Sequence, residues 1–248
     1  MDRPRLIPVL ALSSFLAAAS PAHAEFVPYL RATFGVSQLA MTSLNAAMLA
    51  QESAIRANGG QARFDDVGMV FGPELSGGVW LLPTLRVGTT FSWQHRNMDH
   101  WSDGSLTYVD QYRFATRDAG AELAFRLPRY SGFTIGGQIA LTQGEVTNDY
   151  VITNASGSLH VTTRVQDAQT TWGLFIGLDQ TDAHQRTGGY VRLGYRFRDF
   201  GSVPGTQSVS DGSGTVSTPV RSVPLDFSGW YASLGIAFDA PHQTGRSE

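Results

Sequence analysis

The sequence predicts an all-β fold: an eight-stranded antiparallel up-and-down barrel that crosses a membrane with its strands, with one short helix in its first outer connection. Three observations predict it. Apolar residues recur at every second position in eight separate stretches, and a period of two is the strand period. The opposite face of those stretches carries glycine, hydroxyl groups and isolated charges rather than long lysines and glutamates. A strand reads this way when its apolar side meets lipid and its small polar side meets a narrow lumen. The connections alternate long and short along the chain, as in barrels with long loops on one side of a membrane and tight turns on the other.

Composition agrees. The 248 residues suffice for one all-β domain. Charged residues make up 16%, well below the roughly one quarter of an average soluble chain. Mean hydropathy is nevertheless only −0.11. Alternating strands give this combination, because apolar and polar residues cancel within any window. All 18 basic residues are arginine and the net charge is −3, too slight to imply nucleic acid as a partner. Cysteine is absent, which excludes disulfides, thiolate chemistry and cysteine-ligated zinc. No phosphate loop, dinucleotide fingerprint or EF-hand loop occurs, so no cofactor is expected.

Taken in order, residues 1–24 read as a cleaved signal peptide. Arg3 and Arg5 form a positive n-region, Leu6 to Ala19 an apolar h-region, and Ala22-His23-Ala24 an A-x-A site, with cleavage between Ala24 and Glu25. The barrel is then expected over 25–238, with 239–248 as a short periplasmic extension. The first strand lies near Tyr29–Gln38, with Leu30, Ala32, Phe34 and Val36 alternating with Arg31, Thr33, Gly35 and Ser37. A connection over about 40–65 carries the helix. Thr42 or Ser43 is its expected cap, Leu44, Met48 and Ile55 share a face, and Gly59-Gly60 ends it. It is read as a helix packed on the barrel rim in preference to a lid.

The second and third strands form the hairpin Val67–Gln94, turning at Leu82-Pro83-Thr84. Val67, Met69, Phe71, Leu75, Val79 and Leu81 face one way, Gly72, Glu74, Ser76 and Gly78 the other. After a long loop over about 96–111, the fourth strand ends on Ala119, Ala121, Leu123 and Phe125 against Asp118, Glu122 and Arg126. Its apolar parity shifts before Thr116, which predicts a bulge. The fifth strand carries Phe133, Ile135, Ile139 and Leu141. A polar loop over about 145–164 leads to the sixth, with Trp172, Leu174, Ile176 and Leu178 opposite Phe175, Gly177 and Asp179. The seventh sets Val191, Leu193, Tyr195 and Phe197 against Arg192, Arg196 and Arg198. The last long loop, about 200–224, has Asp211-Gly212 placed to close a hairpin, and the eighth strand carries Trp230, Leu234, Ile236 and Phe238.

Aromatics fall near the strand ends. Tyr29, Trp80, Phe125, Phe133 and Phe238 are expected as one girdle, on the periplasmic side. Phe91, Trp93, Trp172, Phe197 and Trp230 are expected as the other, on the outer side. With the signal peptide, the alternating strands, the loop asymmetry and the closing stretch GWYASLGIAF, the chain resembles the small eight-stranded outer-membrane barrels of Gram-negative bacteria, the OmpA/OmpX/OmpW-like, porin-family group. The resemblance covers nearly all of 25–238 and is architectural, without a diagnostic motif. It implies export to the outer membrane, lipid and lipopolysaccharide as surroundings, passage through the barrel assembly machinery and a monomer. Members usually end on an aromatic residue of the last strand, whereas here Phe238 is followed by ten more residues, Asp239 to Glu248.

For function, the inward charges Glu74, Arg86, Asp118, Glu122, Arg126, Arg192 and Arg196 are the candidate site, and Arg31 shares their parity. Side chains fill an eight-stranded lumen, and charges buried there must pair, so a salt-bridged plug is the expectation. The functional version is a gate formed by Glu74, Glu122, Arg192 and Arg196. Two classes follow: a non-enzymatic barrel, structural and adhesive or a narrow porin-like channel, and an outer-membrane lipid hydrolase or protease with a rim site. The second rests on His95, Asp99 and His100 in the second outer loop, where no activated serine or third metal ligand accompanies them.

Overall fold

The structure, a computed structural model, describes residues 26–57, 59–64, 66–82, 84–103, 107–127, 132–154, 157–180, 187–211 and 213–239. The expected signal peptide with its Ala24–Glu25 junction, and the extension beyond Asp239, lie outside these residues. In chain order the described elements are β1 (Val27–Gln38), α1 (Thr42–Ala57), β2 (Gln61–Arg63), β3 (Met69–Leu82), β4 (Leu85–Asp103), β5 (Thr107–Arg126), β6 (Phe133–Asn154), β7 (Gly157–Asp179), β8 (Thr187–Phe197), β9 (Asp199–Ser210), β10 (Thr215–Asp226) and β11 (Gly229–Asp239).

Strands β1, β3, β4, β5, β6, β7, β8 and β11 form a closed antiparallel ring, with β11 pairing β1 from Tyr29↔Asp239 to Ser37↔Tyr231. Closure satisfies every strand edge, which hydrocarbon demands. The alternation read from the sequence sets the two faces. Leu30, Phe34, Leu75, Phe91, Ile139, Leu174, Leu193 and Leu234 stand exposed on the outer wall, while Arg31, Glu74, Ser92, Gln138, Arg192 and Ser233 are buried inside. On β6 the apolar outer face runs from Phe133 to Leu141, about 27 Å of strand and about 21 Å of height at a tilt of about 40°. That matches the apolar band of a membrane-spanning barrel.

Beyond that band the wall does not break into loops. β4 and β5 pair without interruption from Leu85↔Phe125 to Ser102↔Tyr108, and β6 and β7 from Phe133↔Leu178 to Asn154↔Gly157. The stretches expected as loops at 96–111 and 145–164 are therefore mostly strand. The stretch 200–224 is the hairpin β9–β10: β9 takes over pairing with the outer half of β7 where β8 leaves it. The expected turn is there, with Asp211 Oδ1 accepting from Ser213 N at 3.0 Å and Ser213 Oγ at 2.6 Å. Those bonds hold the Asp211 carboxyl below its ordinary range; Gly212 itself is outside the described residues. Outside the membrane both strand faces are polar or mixed, so periodicity vanishes while the hydrogen-bond ladder continues.

The expected bulge is absent, since β5 keeps register with both neighbours throughout. What changes near Thr116 is the chemistry of the interior. Below this level the inward residues include the paired charges, and above it apolar ones enter: Phe114 and Tyr112, together with Met98, Val146 and Val165, belong to one buried cluster, with Asp110 buried beyond them on the same face. Val67 also departs from expectation. It precedes β3 and is buried in this cluster, not on the lipid face.

Helix α1 covers the cluster. Its Met48 is buried there, with Leu44 and Ile55 packed alongside, as the shared face predicted. Its end is also as predicted: Gly59 (φ 81°) and Gly60 return bonds to Arg56 O at 3.0 Å and Ile55 O at 3.1 Å, a Schellman closure that needs a residue at ease with positive φ. Its start differs. Asn45 N donates to Met41 O at 2.9 Å, so Met41 holds the cap position and Thr42 and Ser43 lie inside the first turn. Asn45 then clamps the chain by its amide, accepting from Val67 N at 2.8 Å and donating to Val67 O at 3.2 Å.

Candidate functional site

Among the described residues the lumen gathers chemistry from every side of the ring, and it is filled at three levels. In the middle, Arg192 of β8 bridges two strands on the far wall, donating to Glu74 Oε1 at 2.7 Å and Glu122 Oε2 at 2.6 Å. Arg196 pairs with the other oxygen of Glu74, and Arg198 with Asp118. Asp118 also accepts from Ser92 and, at 2.7 Å, from Thr142. Gln94 ties this level to β1: its Oε1 accepts from Ser37 Oγ at 2.9 Å and from Arg196 and Arg198 at 3.4 Å.

At the tight-turn end, Arg31 pairs with Asp179 and lies 3.6 Å from Asp239. Arg86 lies 3.6 Å from Glu122 and 3.9 Å from Asp179. Arg126 reaches Asp239 at 3.9 Å. Aromatic rings stack between these cations: Arg31 sits 4.4 Å from the Tyr29 centroid, and Arg126 4.2 Å from that of Trp80, contacts of the cation–π kind. The Tyr29 hydroxyl donates to Glu122 at 2.9 Å. Asp179 is set in place through its backbone, which donates to Gly132 O at 2.8 Å. Gly132 has φ 89°, and a Cβ there would stand 2.2 Å from Asp179 O, so this close turn requires glycine.

At the outer level the apolar cluster and α1 close the barrel. Phe200 and Phe227 meet edge to face at 5.6 Å, and Tyr112 stacks on Phe114 at 6.0 Å. Arg86 and Arg192 are fully buried at 0% exposure, whereas Arg126 keeps 27% of its side chain open toward the tight-turn mouth.

All seven expected lumen residues thus enter one ionic network, Arg31 joins it, and the gate quartet Glu74, Glu122, Arg192 and Arg196 lies at its centre. Asp179 and Arg198 were legible, since each shares the inward parity of a strand already identified. Asp239 was not, because the apolar alternation ends at Phe238 while the strand runs one residue further. Two girdle assignments are corrected. Tyr29 (4% exposed) and Trp80 (1%) are buried in the lumen with Val27; their parity is that of Arg31 and Glu74, and nearness to a strand end was the wrong criterion. Phe125, Phe133, Phe238, Phe91, Trp93, Trp172, Phe197 and Trp230 are exposed on the outer wall.

Of the histidine–aspartate set, His95 and Asp99 do not meet. His95 and Asp99 lie on one strand face of β4, both exposed, and four strand residues separate their Cα atoms by about 13 Å. His95 instead stacks on Trp93 at 5.5 Å. The His100 side chain lies outside the described set, and no metal-holding cluster occurs among the described residues.

No family model and no curated relative matches the chain. Among solved structures, it is similar to Ail, the attachment invasion locus protein of Yersinia pestis (10% identity, 85% of this chain and 99% of that one, TM-score 0.44). It is also similar to a major outer membrane protein of Thermus thermophilus (13%, 86% and 99%, TM-score 0.46). A third is the outer membrane protease OmpT of Escherichia coli (11%, 90% and 99%, TM-score 0.43). Likenesses this distant say nothing of role. The closed ring, apolar outer wall and charged lumen together make this chain a membrane-spanning eight-stranded β-barrel.

Proposed function

We propose that the protein is a resident of the bacterial outer membrane that acts as a non-conducting, non-enzymatic platform, with its working surface on the projecting outer sheet in a structural or adhesive role. The observation that carries this reading is the filled lumen: paired ions in the middle, aromatic rings below and an apolar core capped by α1 above. A porin-like path would have to cross all three levels. The outer sheet, by contrast, is built far beyond what spanning needs, with β6 and β7 paired for some thirteen residues past the Leu141 level.

The surroundings follow from the same geometry. Lipid and lipopolysaccharide meet the outer wall, and the closed ring offers no edge to a second copy, which favours a monomer. Pro219 and Pro224 sit on β10, the outer edge of the projecting sheet, where they blunt strand addition. The strand ending Phe238-Asp239 is the segment the assembly machinery would read. Single-channel recording of the refolded chain in a planar bilayer tests the reading. Silence at high salt is expected; discrete openings that change with Glu74→Gln would establish the channel class instead.

A further inference from the structure

We propose that the tight-turn end of the lumen holds a resident monovalent inorganic anion of halide size among the guanidinium groups of Arg31, Arg86 and Arg126. Charge balance points there. In the middle level Arg192, Arg196 and Arg198 meet Glu74, Glu122 and Asp118, three charges of each sign. At the tight-turn end Arg31, Arg86 and Arg126 meet Asp179 and Asp239, which leaves one positive charge uncompensated among the described residues. Arg31 and Arg86 are closed off from water, and an excess of buried positive charge is strongly unfavourable.

The hydrogen-bond inventory points to the same spot. Arg31 Nε and Nη1, Arg86 Nε and Nη1, and Arg126 Nε are buried donors without a partner. Arg31 and Arg86 are also fully buried, at 1% and 0% exposure. Arg86 lies within 4 Å of two carboxylates, yet neither approach is a hydrogen bond, at 3.6 and 3.9 Å. Neighbouring hydroxyls are already engaged: Tyr29 donates to Glu122, and Tyr190 accepts from Arg86 at 3.2 Å and from Arg192 at 2.9 Å. Asp239 Oδ1, 3.6 Å from Arg31, can take at most part of these five donors, so donors exceed acceptors in the same place where positive charge exceeds negative.

The three guanidiniums belong together. Arg31 and Arg86 share Asp179, Arg31 and Arg126 share Asp239, and Arg86 and Arg126 both face Trp80. A halide carries the single charge that closes the balance and accepts N–H bonds from several directions at once. Carboxylates and phosphates are larger and need a planar or tetrahedral set of donors, which a lumen filled by side chains disfavours. Arg126 and Asp239, both partly open to solvent, form the route of entry.

The test is thermal unfolding of the refolded full chain in micelles, titrating sodium chloride against sodium gluconate at constant ionic strength. The expected result is a Tm that rises with the logarithm of chloride concentration, as ligand linkage requires, with bromide equivalent. Arg126→Gln removes the excess charge and should flatten the dependence. Asp239→Asn increases the excess and should shift saturation to lower chloride. Superimposable chloride and gluconate curves for the unaltered chain, or an undiminished chloride response in Arg126→Gln, would overturn the site. Bromide-soaked crystals of the unaltered chain give a reading independent of any variant: an anomalous peak between Arg31, Arg86 and Arg126 is expected, and an ordered lumen without one rejects the proposal.

Discussion

Arg192 shows what a single residue does in this lumen. Its guanidinium satisfies Glu74 and Glu122 together while its plane lies 4.1 Å from the Phe175 ring centroid. Replacing it with methionine keeps much of the volume and leaves two buried carboxylates short of a partner. The expected loss is about 3–5 kcal/mol, read by denaturant unfolding in micelles. Adding Glu122→Gln restores equal charge, because Glu74 keeps Arg196 and Arg86 keeps Asp179. The double variant should recover more than half of the loss, and a double as unstable as the single would show that the pair's geometry matters more than its charge. Neighbours make room for such side chains by having none of their own. A Cβ on Gly88 would stand 2.1 Å from the Tyr29 hydroxyl, and one on Gly194 2.5 Å from the Tyr231 ring. That explains the glycine-rich inward face. Parity and residue type made Glu74, Arg192 and Gly194 legible as a set in the sequence. Who pairs with whom was not, because it depends on the stagger of β8 against β3 and β5 across the lumen.

Among the elements, α1 is the one whose role the sequence left most open. Its apolar face was visible, but what that face meets was not, because besides the nearby Ala62, Phe64, Val67 and Val70 its cluster draws on β4, β5, β6, β7 and the β9–β10 hairpin, all distant along the chain. The same distance explains the missed strands: outside the membrane their order comes from neighbours, not from a stripe. The helix is both buried and tethered. Glu52 accepts from Phe64 N at 3.1 Å and pairs with Arg56 at 2.5 Å, and Arg56 donates to Ala62 O at 3.0 Å. Arg56 is largely exposed, so its pair with Glu52 contributes little, and the buried Met48 should carry most of the docking. Met48→Ala is expected to lower the local opening free energy of 42–57 by about 2–5 kcal/mol. Hydrogen exchange would report this as faster exchange over α1 with β5 and β6 unchanged. Equal slowing or loosening of barrel and helix would mean that the two open as one unit.

The whole molecule is a cylinder closed by ladder pairing, greasy outside and ionic inside, that runs on into a polar sheet at one end only. The turn residues Thr84 and Gly132 and both termini of the ring lie at the other end, with Thr84 O accepting from Arg126 N there at 2.7 Å. This asymmetry was legible from loop lengths alone, since it is written in where the alternation stops. It fixes an orientation if the long end faces outward. The chain has no cysteine, so one introduced thiol reports one place. Ser213→Cys at the tip of β9–β10 is expected to react with a membrane-impermeant maleimide on intact cells. Thr84→Cys, in a tight turn, should react only after the envelope is opened. Ser213 lies away from the lumen network and the apolar cluster, and Thr84 meets Arg126 through its backbone carbonyl, so neither substitution should disturb the fold. Labelling of Thr84→Cys on intact cells with Ser213→Cys protected would invert the molecule, and would place the projecting sheet and any partner of it in the periplasm.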